Sequence, residues 1–167
     1  TAAADGVAPP LPSPCTVEIA LRYYADLRAP SSKQMLQLLS LHCKEPSEAA
    51  RLALLASADG KAEYATYVQR DGRGLAELLR TCPSCAPPLG ALLELAPKLA
   101  PRYYTISSSP VAANGTVHLT VKVLREPMKG AADPKRLKEG VCSTQLGDLA
   151  VGGSAFVFVR ASAFRLP

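Results

Sequence analysis

The chain has 167 residues, 48% of them apolar, and its nineteen basic and fourteen acidic residues leave a net charge of +5. That length and apolar share can fill a core, which excludes a disordered chain, while the mild basic excess is scattered and gives no nucleic-acid-binding face. No run of eighteen apolar residues is present to span a membrane, and the alanine-rich start lacks the basic region and apolar core of a signal peptide.

Residues 1–14, rich in Ala, Pro, Gly and Ser, read as a flexible lead-in. Thr16 is placed to cap a first helix with Val17, Ala20, Leu21, Tyr24 and Leu27 on one face. Ser31 or Ser32 starts a second, with Met35, Leu38, Leu39 and His42 in helical register. Pro46-Ser47-Glu48 opens a third that carries Leu52, Leu54, Leu55 and Ala56. Asp59-Gly60 breaks it, and residues 62–68 predict a short fourth helix. Gly72-Arg73-Gly74 precedes a fifth through Leu75, Leu78 and Leu79, closed by Cys82-Pro83. Pro87-Pro88 then leads into an apolar helix over 89–95.

The character changes at Arg102. Five residues that favour an extended chain, Arg102-Tyr103-Tyr104-Thr105-Ile106, run into Ser107-Ser108-Ser109 and a turn at Pro110. In a strand, Tyr104 and Ile106 face one side and Tyr103 and Thr105 the other. Asn114-Gly115 signals a tight turn. Val117, Leu119, Val121 and Val123 then alternate with His118, Thr120 and Lys122, as in a half-buried strand. Residues 126–139 read as a solvated loop whose Lys129, Lys135, Arg136 and Lys138 face water. Gly140-Val141-Cys142-Ser143 opens a short helix through Leu149, Gly152-Gly153 turns the chain, and residues 155–160 predict a last strand.

Five cysteines, an odd number without a secretory signal, fit a reducing compartment. Cys82-Pro83-Ser84-Cys85 has ligand spacing, yet no second pair follows and His42 and His118 are distant in sequence. The four residues read as a loop, and no metal is expected.

The stretch from Arg102 to Ser109 can offer a guanidinium to a phosphate, an aromatic plane to a flat ring and hydroxyls to ring heteroatoms. Composition alone favours an ordinary half-buried strand with a polar end. Its pattern, Arg-x-Tyr-Ser/Thr-x-x-Ser, is similar to the flavin signature of the ferredoxin–NADP reductase superfamily. With Leu99-Ala100-Pro101 in front, it resembles the version in the diflavin reductases. Three further stretches agree in order and spacing: Cys82-Pro83-Ser84-Cys85-Ala86-Pro87-Pro88-Leu89-Gly90, Gly140-Val141-Cys142-Ser143, and the terminal Phe158-Val159-Arg160-Ala161-Ser162-Ala163-Phe164-Arg165-Leu166-Pro167.

The resemblance implies an α+β fold. A helical connecting lobe (15–98) would precede part of an antiparallel ferredoxin-reductase-type flavin-binding β-barrel (99–167). The early barrel strands would lie upstream of residue 1 and the nicotinamide domain beyond Pro167. FAD is the implied cofactor, with FMN and NADPH bound outside this chain. Arg102 and the amides of Gly140, Val141, Cys142 and Ser143 would hold the pyrophosphate. Tyr104 would stack on the isoalloxazine while Tyr103 points away. Thr105, the catalytic candidate, stands where relatives usually carry a serine at the hydride-accepting edge. Thr120, Val121 and Lys122 would line the flavin, Lys122 replacing an apolar residue, and Arg73 remains of a paired-arginine position.

The implied activity is electron transfer from NADPH through FAD and FMN to a haem protein or other acceptor. The implied partners are the FMN-binding and nicotinamide domains of the same parent. Its place is the cytoplasm, or the cytosolic face of the endoplasmic reticulum where the parent is anchored. A different class stays open: a non-catalytic interaction module derived from a flavin barrel, favoured by Gly72 and by the departures at 120–122.

Overall fold

A computed structural model describes residues 14–109 and 111–161. Residues 1–13 of the lead-in, Pro110 and residues 162–167 of the terminal motif lie outside the described residues. By contact the chain divides into two units, one of 1–101 with 127–136 and one of 102–126 with 137–167.

In the first unit two helices begin where short oxygen-bearing side chains cap them. Thr16 accepts the Ile19 N–H at 3.2 Å and opens α1 (Val17–Tyr23); Ser32 accepts the Met35 N–H at 3.1 Å and opens α2 (Lys33–Leu41). α3 (Pro46–Ala56) starts on a proline whose missing N–H costs nothing in a first turn. α5 (Leu75–Thr81) and α6 (Leu89–Leu95) follow at the expected places. Met35, Leu36 and Leu39 of α2 meet Leu52 and Leu55 of α3, with Val68, Leu75, Leu78, Cys82 and Leu92 completing one core. Each fully buried aliphatic side chain here contributes about 1.5–3 kcal/mol.

Two expectations need correction. The fourth helix is not a regular α-helix: after the α-turn α4 (Lys61–Glu63), Tyr64–Arg70 winds as a π-helix. The Asp71 N–H reaches the Thr66 carbonyl at 3.2 Å and the Arg73 N–H reaches Val68 at 2.9 Å, both five residues back. Period reading at 3.6 residues cannot register that extra residue per turn.

The second correction concerns residues 126–139, which are not simply a wet loop. Their flanks, β1 (Arg125–Pro127) and β2 (Leu137–Glu139), pair as a two-stranded sheet. Within the loop, Met128 N–H donates to the Arg136 carbonyl at 2.8 Å. Asp71, 1% exposed, accepts the Ala132 N–H at 3.2 Å. Arg136 places NH1 and NH2 on Glu77 Oε1 and Oε2 at 2.7 and 2.8 Å. Carboxylates drawn out of water need donors, and this segment supplies them to the buried Asp71 and the half-buried Glu77. Lys129, Lys135 and Lys138 do face water.

In the second unit, the Asn114-Gly115 turn forms with φ of 41° and 80°. It brings back residues 117–120 so that Ile106 bridges Leu119 and the Ser107 N–H donates to the His118 carbonyl at 2.9 Å. The expected strands at 102–106 and 117–123 share that single bridge rather than a ladder, and 155–160 pairs in no ladder among the described residues. A hairpin without a third strand is marginal, which accounts for the sparse pairing. α7 (Val141–Asp148) forms where Gly140-Val141-Cys142-Ser143 predicts it. The α+β class stands, while the described residues do not show a barrel.

Candidate functional site

The best-built part of the second unit is the start of α7. Its N-cap is Gly140, extended at φ −76° and ψ 126°, and no side chain caps the first turn. The first-turn amides of an α-helix lack intrahelical acceptors, so Val141, Cys142 and Ser143 present N–H groups at the positive end of the helix. A side chain at 140 has no room: a Cβ there would lie 2.3 Å from Ser143 Oγ and 3.1 Å from Leu124 Cβ.

Leu124 is what fixes this turn. Its N–H donates to Ser143 Oγ at 3.1 Å, and its carbonyl accepts the Gly140 N–H at 2.9 Å and Thr144 Oγ1–H at 3.2 Å. Ser143 and Thr144 are both buried. At Gly147 a Cβ would stand 2.8 Å from Val123 Cγ2, so the helix lies close on residues 123–124. Arg125 closes the far end, bonding Glu139 at 3.0 Å and Asp148 at 2.8 Å. Leu124, Thr144 and Gly147 are positioning residues that sequence reading missed. A Ser-Thr pair entering a helix, with a glycine one turn on, was the available signal.

The Arg102–Ser109 stretch is held on its polar end. Ser107 Oγ donates to the His118 carbonyl at 3.1 Å, Ser108 Oγ accepts the His118 N–H at 3.0 Å, and Thr120 Oγ1 reaches Ser107 Oγ at 3.5 Å. Of the expected flavin-side residues, Arg102, Thr105, Thr120 and Lys122 are exposed and Tyr104 and Val121 half-buried. Tyr103 meets Phe158 edge to face at 5.8 Å, and the Arg160 guanidinium lies 5.2 Å from its ring centre. Tyr103 therefore has ring partners of its own.

Arg73 belongs to the first unit. Its guanidinium bonds Asp71 at 3.4 Å, pairs with Glu77 and lies 4.1 Å over the Tyr67 ring. The Arg136 fork is the chief cause holding the Glu77 carboxyl below its usual range, with Arg73 adding to it. Burial alone would raise Asp71, but the Ala132 N–H, Arg70 and Arg73 outweigh it and bring the carboxyl down. A cavity of about 220 Å³ in the same unit, lined by Glu48, Arg51, Tyr67, Thr81 and others, contains none of the sequence-predicted residues. It is too small for a dinucleotide, since ligand pockets run to roughly 300–1,000 Å³.

A chain that carries an uncapped glycine helix start and an Arg-x-Tyr-Thr segment in one unit has the parts for holding a nucleotide cofactor. Residues 3–145 match the FAD binding domain family, and the chain belongs to that family. Within it, the chain is of the diflavin reductase kind. It is 36% identical to NADPH–cytochrome P450 reductase of Dictyostelium discoideum across 92% of this chain and 22% of the relative. The human enzyme of the same name is also 36% identical, over 95% of this chain and 24% of its own length. Methionine synthase reductase of Bos taurus is 36% identical over 83% of this chain and 20% of its own. The chain thus spans about a quarter of the length of these relatives.

Proposed function

We propose that this chain is the FAD-binding portion of an NADPH-dependent diflavin oxidoreductase, whose electrons pass from NADPH through FAD and FMN to a haem protein or another acceptor. The observation that carries the reading is the first turn of α7, a helix start with a glycine cap and amides left for an anion. A dinucleotide cofactor brings a pyrophosphate that such a turn suits. FAD, when bound, supplies the hydride-accepting and electron-releasing chemistry; the protein supplies binding and orientation.

In this reading Arg102 shares the pyrophosphate with the amides of Val141, Cys142 and Ser143. Tyr104 gives the isoalloxazine a plane, and Thr105 presents a hydroxyl at its reactive edge, the added methyl group crowding that edge relative to serine. Thr120, Val121 and Lys122 line the remainder, with 102–161 serving as a piece of the flavin barrel. Arg73, engaged by Asp71 and Glu77, holds the helical unit together. The parent would add FMN-binding and nicotinamide domains and work in the cytoplasm, as the odd cysteine count supports.

Titrating the chain with FAD and following flavin fluorescence tests the reading. Saturable binding is expected, weakened about 10- to 150-fold by Arg102→Ala, the span of a lost charge-assisted hydrogen bond. Equal affinity for both proteins would overturn the pyrophosphate assignment. NADPH consumption with an artificial acceptor should match a flavin-only blank, because no glycine-rich nucleotide loop between strand and helix occurs in this sequence.

A further inference from the structure

All five cysteines are free thiols, and two of them face each other across a backbone bridge. Cys43 follows α2, and Cys85 lies in the turn between α5 and α6. The Lys44 N–H donates to the Ser84 carbonyl at 3.4 Å and the Ala86 N–H to the His42 carbonyl at 3.0 Å. The bonds thus flank the 43–85 pair instead of joining it. That is the non-hydrogen-bonded site of an antiparallel ladder, where opposed Cα atoms stand about 4.5 Å apart and side chains approach most closely. A disulfide needs Cα atoms roughly 4.4–6.8 Å apart.

The surroundings favour this pair over the nearby third thiol. Cys43 and Cys85 are half-exposed and share a side-chain hydrogen bond, and Cys85 Sγ also donates to the Leu39 carbonyl at 3.2 Å. Cys82 is 5% exposed and belongs to the helical core, out of reach of a dissolved oxidant.

We propose that Cys43 and Cys85 form a reversible cross-strand disulfide by exchange with a low-molecular-weight disulfide such as oxidised glutathione. One protein thiolate attacks a glutathione sulfur and expels one glutathione thiolate. The second protein thiol then displaces the other. Two thiol protons pass to the two glutathiones, the protein pair loses two electrons, and one glutathione disulfide is reduced. Burial, the hydrogen bond with Cys43 and the adjoining Cys43 and Cys82 sulfurs push the Cys85 thiol up to about 12. The closed loop contains α3, α4, the π-helix and α5, and with them Tyr67, Asp71, Arg73 and Glu77.

The test equilibrates the full chain in a series of oxidised and reduced glutathione buffers, alkylates it, and digests it with trypsin without reduction. Cleavage after Lys33, Lys44, Arg80 and Lys98 releases 34–44 and 81–98. The expected product is those two peptides linked through Cys43 and Cys85, as read by fragmentation, and dissolved by dithiothreitol. The oxidised chain should melt several degrees higher, as closing a loop of about 40 residues predicts. Cys43→Ser and Cys85→Ser should each abolish the link, and Cys82→Ala should retain it. A bond inside 81–98, a link to Cys82, glutathione left on both cysteines, or thiols surviving in the most oxidising buffer would each overturn the proposal. Mapping the unsubstituted chain decides even where a variant does not fold.

Discussion

Gly140 and Ser143 show how little room the start of α7 allows. A methyl group at 140 would press on the oxygen that receives the Leu124 N–H. Gly140→Ala should therefore cost about 1–3 kcal/mol through overpacking. Ser143→Ala strips a part-buried N–H of its acceptor and should cost a similar ~1–3 kcal/mol. The double variant removes the clashing oxygen, so its loss should fall short of the sum by at least ~0.5 kcal/mol. Chemical denaturation of the four proteins measures this, and strict additivity would mean the two residues do not meet. The glycine and serine were legible because motif spacing marks both. Leu124 was not, because it acts through its backbone, and backbone groups leave no trace in residue type.

Among elements, the segment 127–136 is held by charge. Arg136 forks onto Glu77, which also takes Arg73, and Ala132 caps Asp71. Arg136→Ala should lower stability by about 1–2 kcal/mol, discounted for the 28% exposure of the Glu77 side chain. Arg136→Lys should restore little, because an ammonium cannot make the fork. Both carboxyls sit below their ordinary values of 3.8 for Asp71 and 4.5 for Glu77. A depressed carboxylate pKa stabilises fully above the unfolded value and loses that contribution as pH falls through the folded one. The gap between the parent chain and Arg136→Ala should thus be widest above about pH 5 and shrink below about pH 4. A gap that widens on acidification would refute the ion-pair account. Capping residues and prolines made most helix starts in this unit readable, since those signals are local. The docking of 127–136 was not readable, because Glu77 and Arg136 lie far apart in sequence and only folding makes them partners.

At the scale of the whole chain, the apolar surface is unevenly covered. The helical unit buries a continuous aliphatic core, whereas the consecutive Phe156, Val157, Phe158 and Val159 are 61–89% exposed. Alternate residues of an extended segment face opposite ways, so exposure of all four means that neither face is fully covered. Contiguous exposure of this kind favours association. Fully burying the four side chains would contribute ~6–12 kcal/mol at ~1.5–3 each, against an association cost of ~4–15 kcal/mol. Those opposing terms leave room only for weak pairing, with Kd in roughly the micromolar to millimolar range, or ~4–8 kcal/mol. Sedimentation velocity from low micromolar to near-millimolar protein should show a rising weight-average mass. Val157→Lys with Val159→Lys, which places charges on one face of the segment, should suppress that rise, while Arg136→Ala should not. A single monomer species at every concentration, or a rise unchanged by the two lysines, would show that this segment does not drive association.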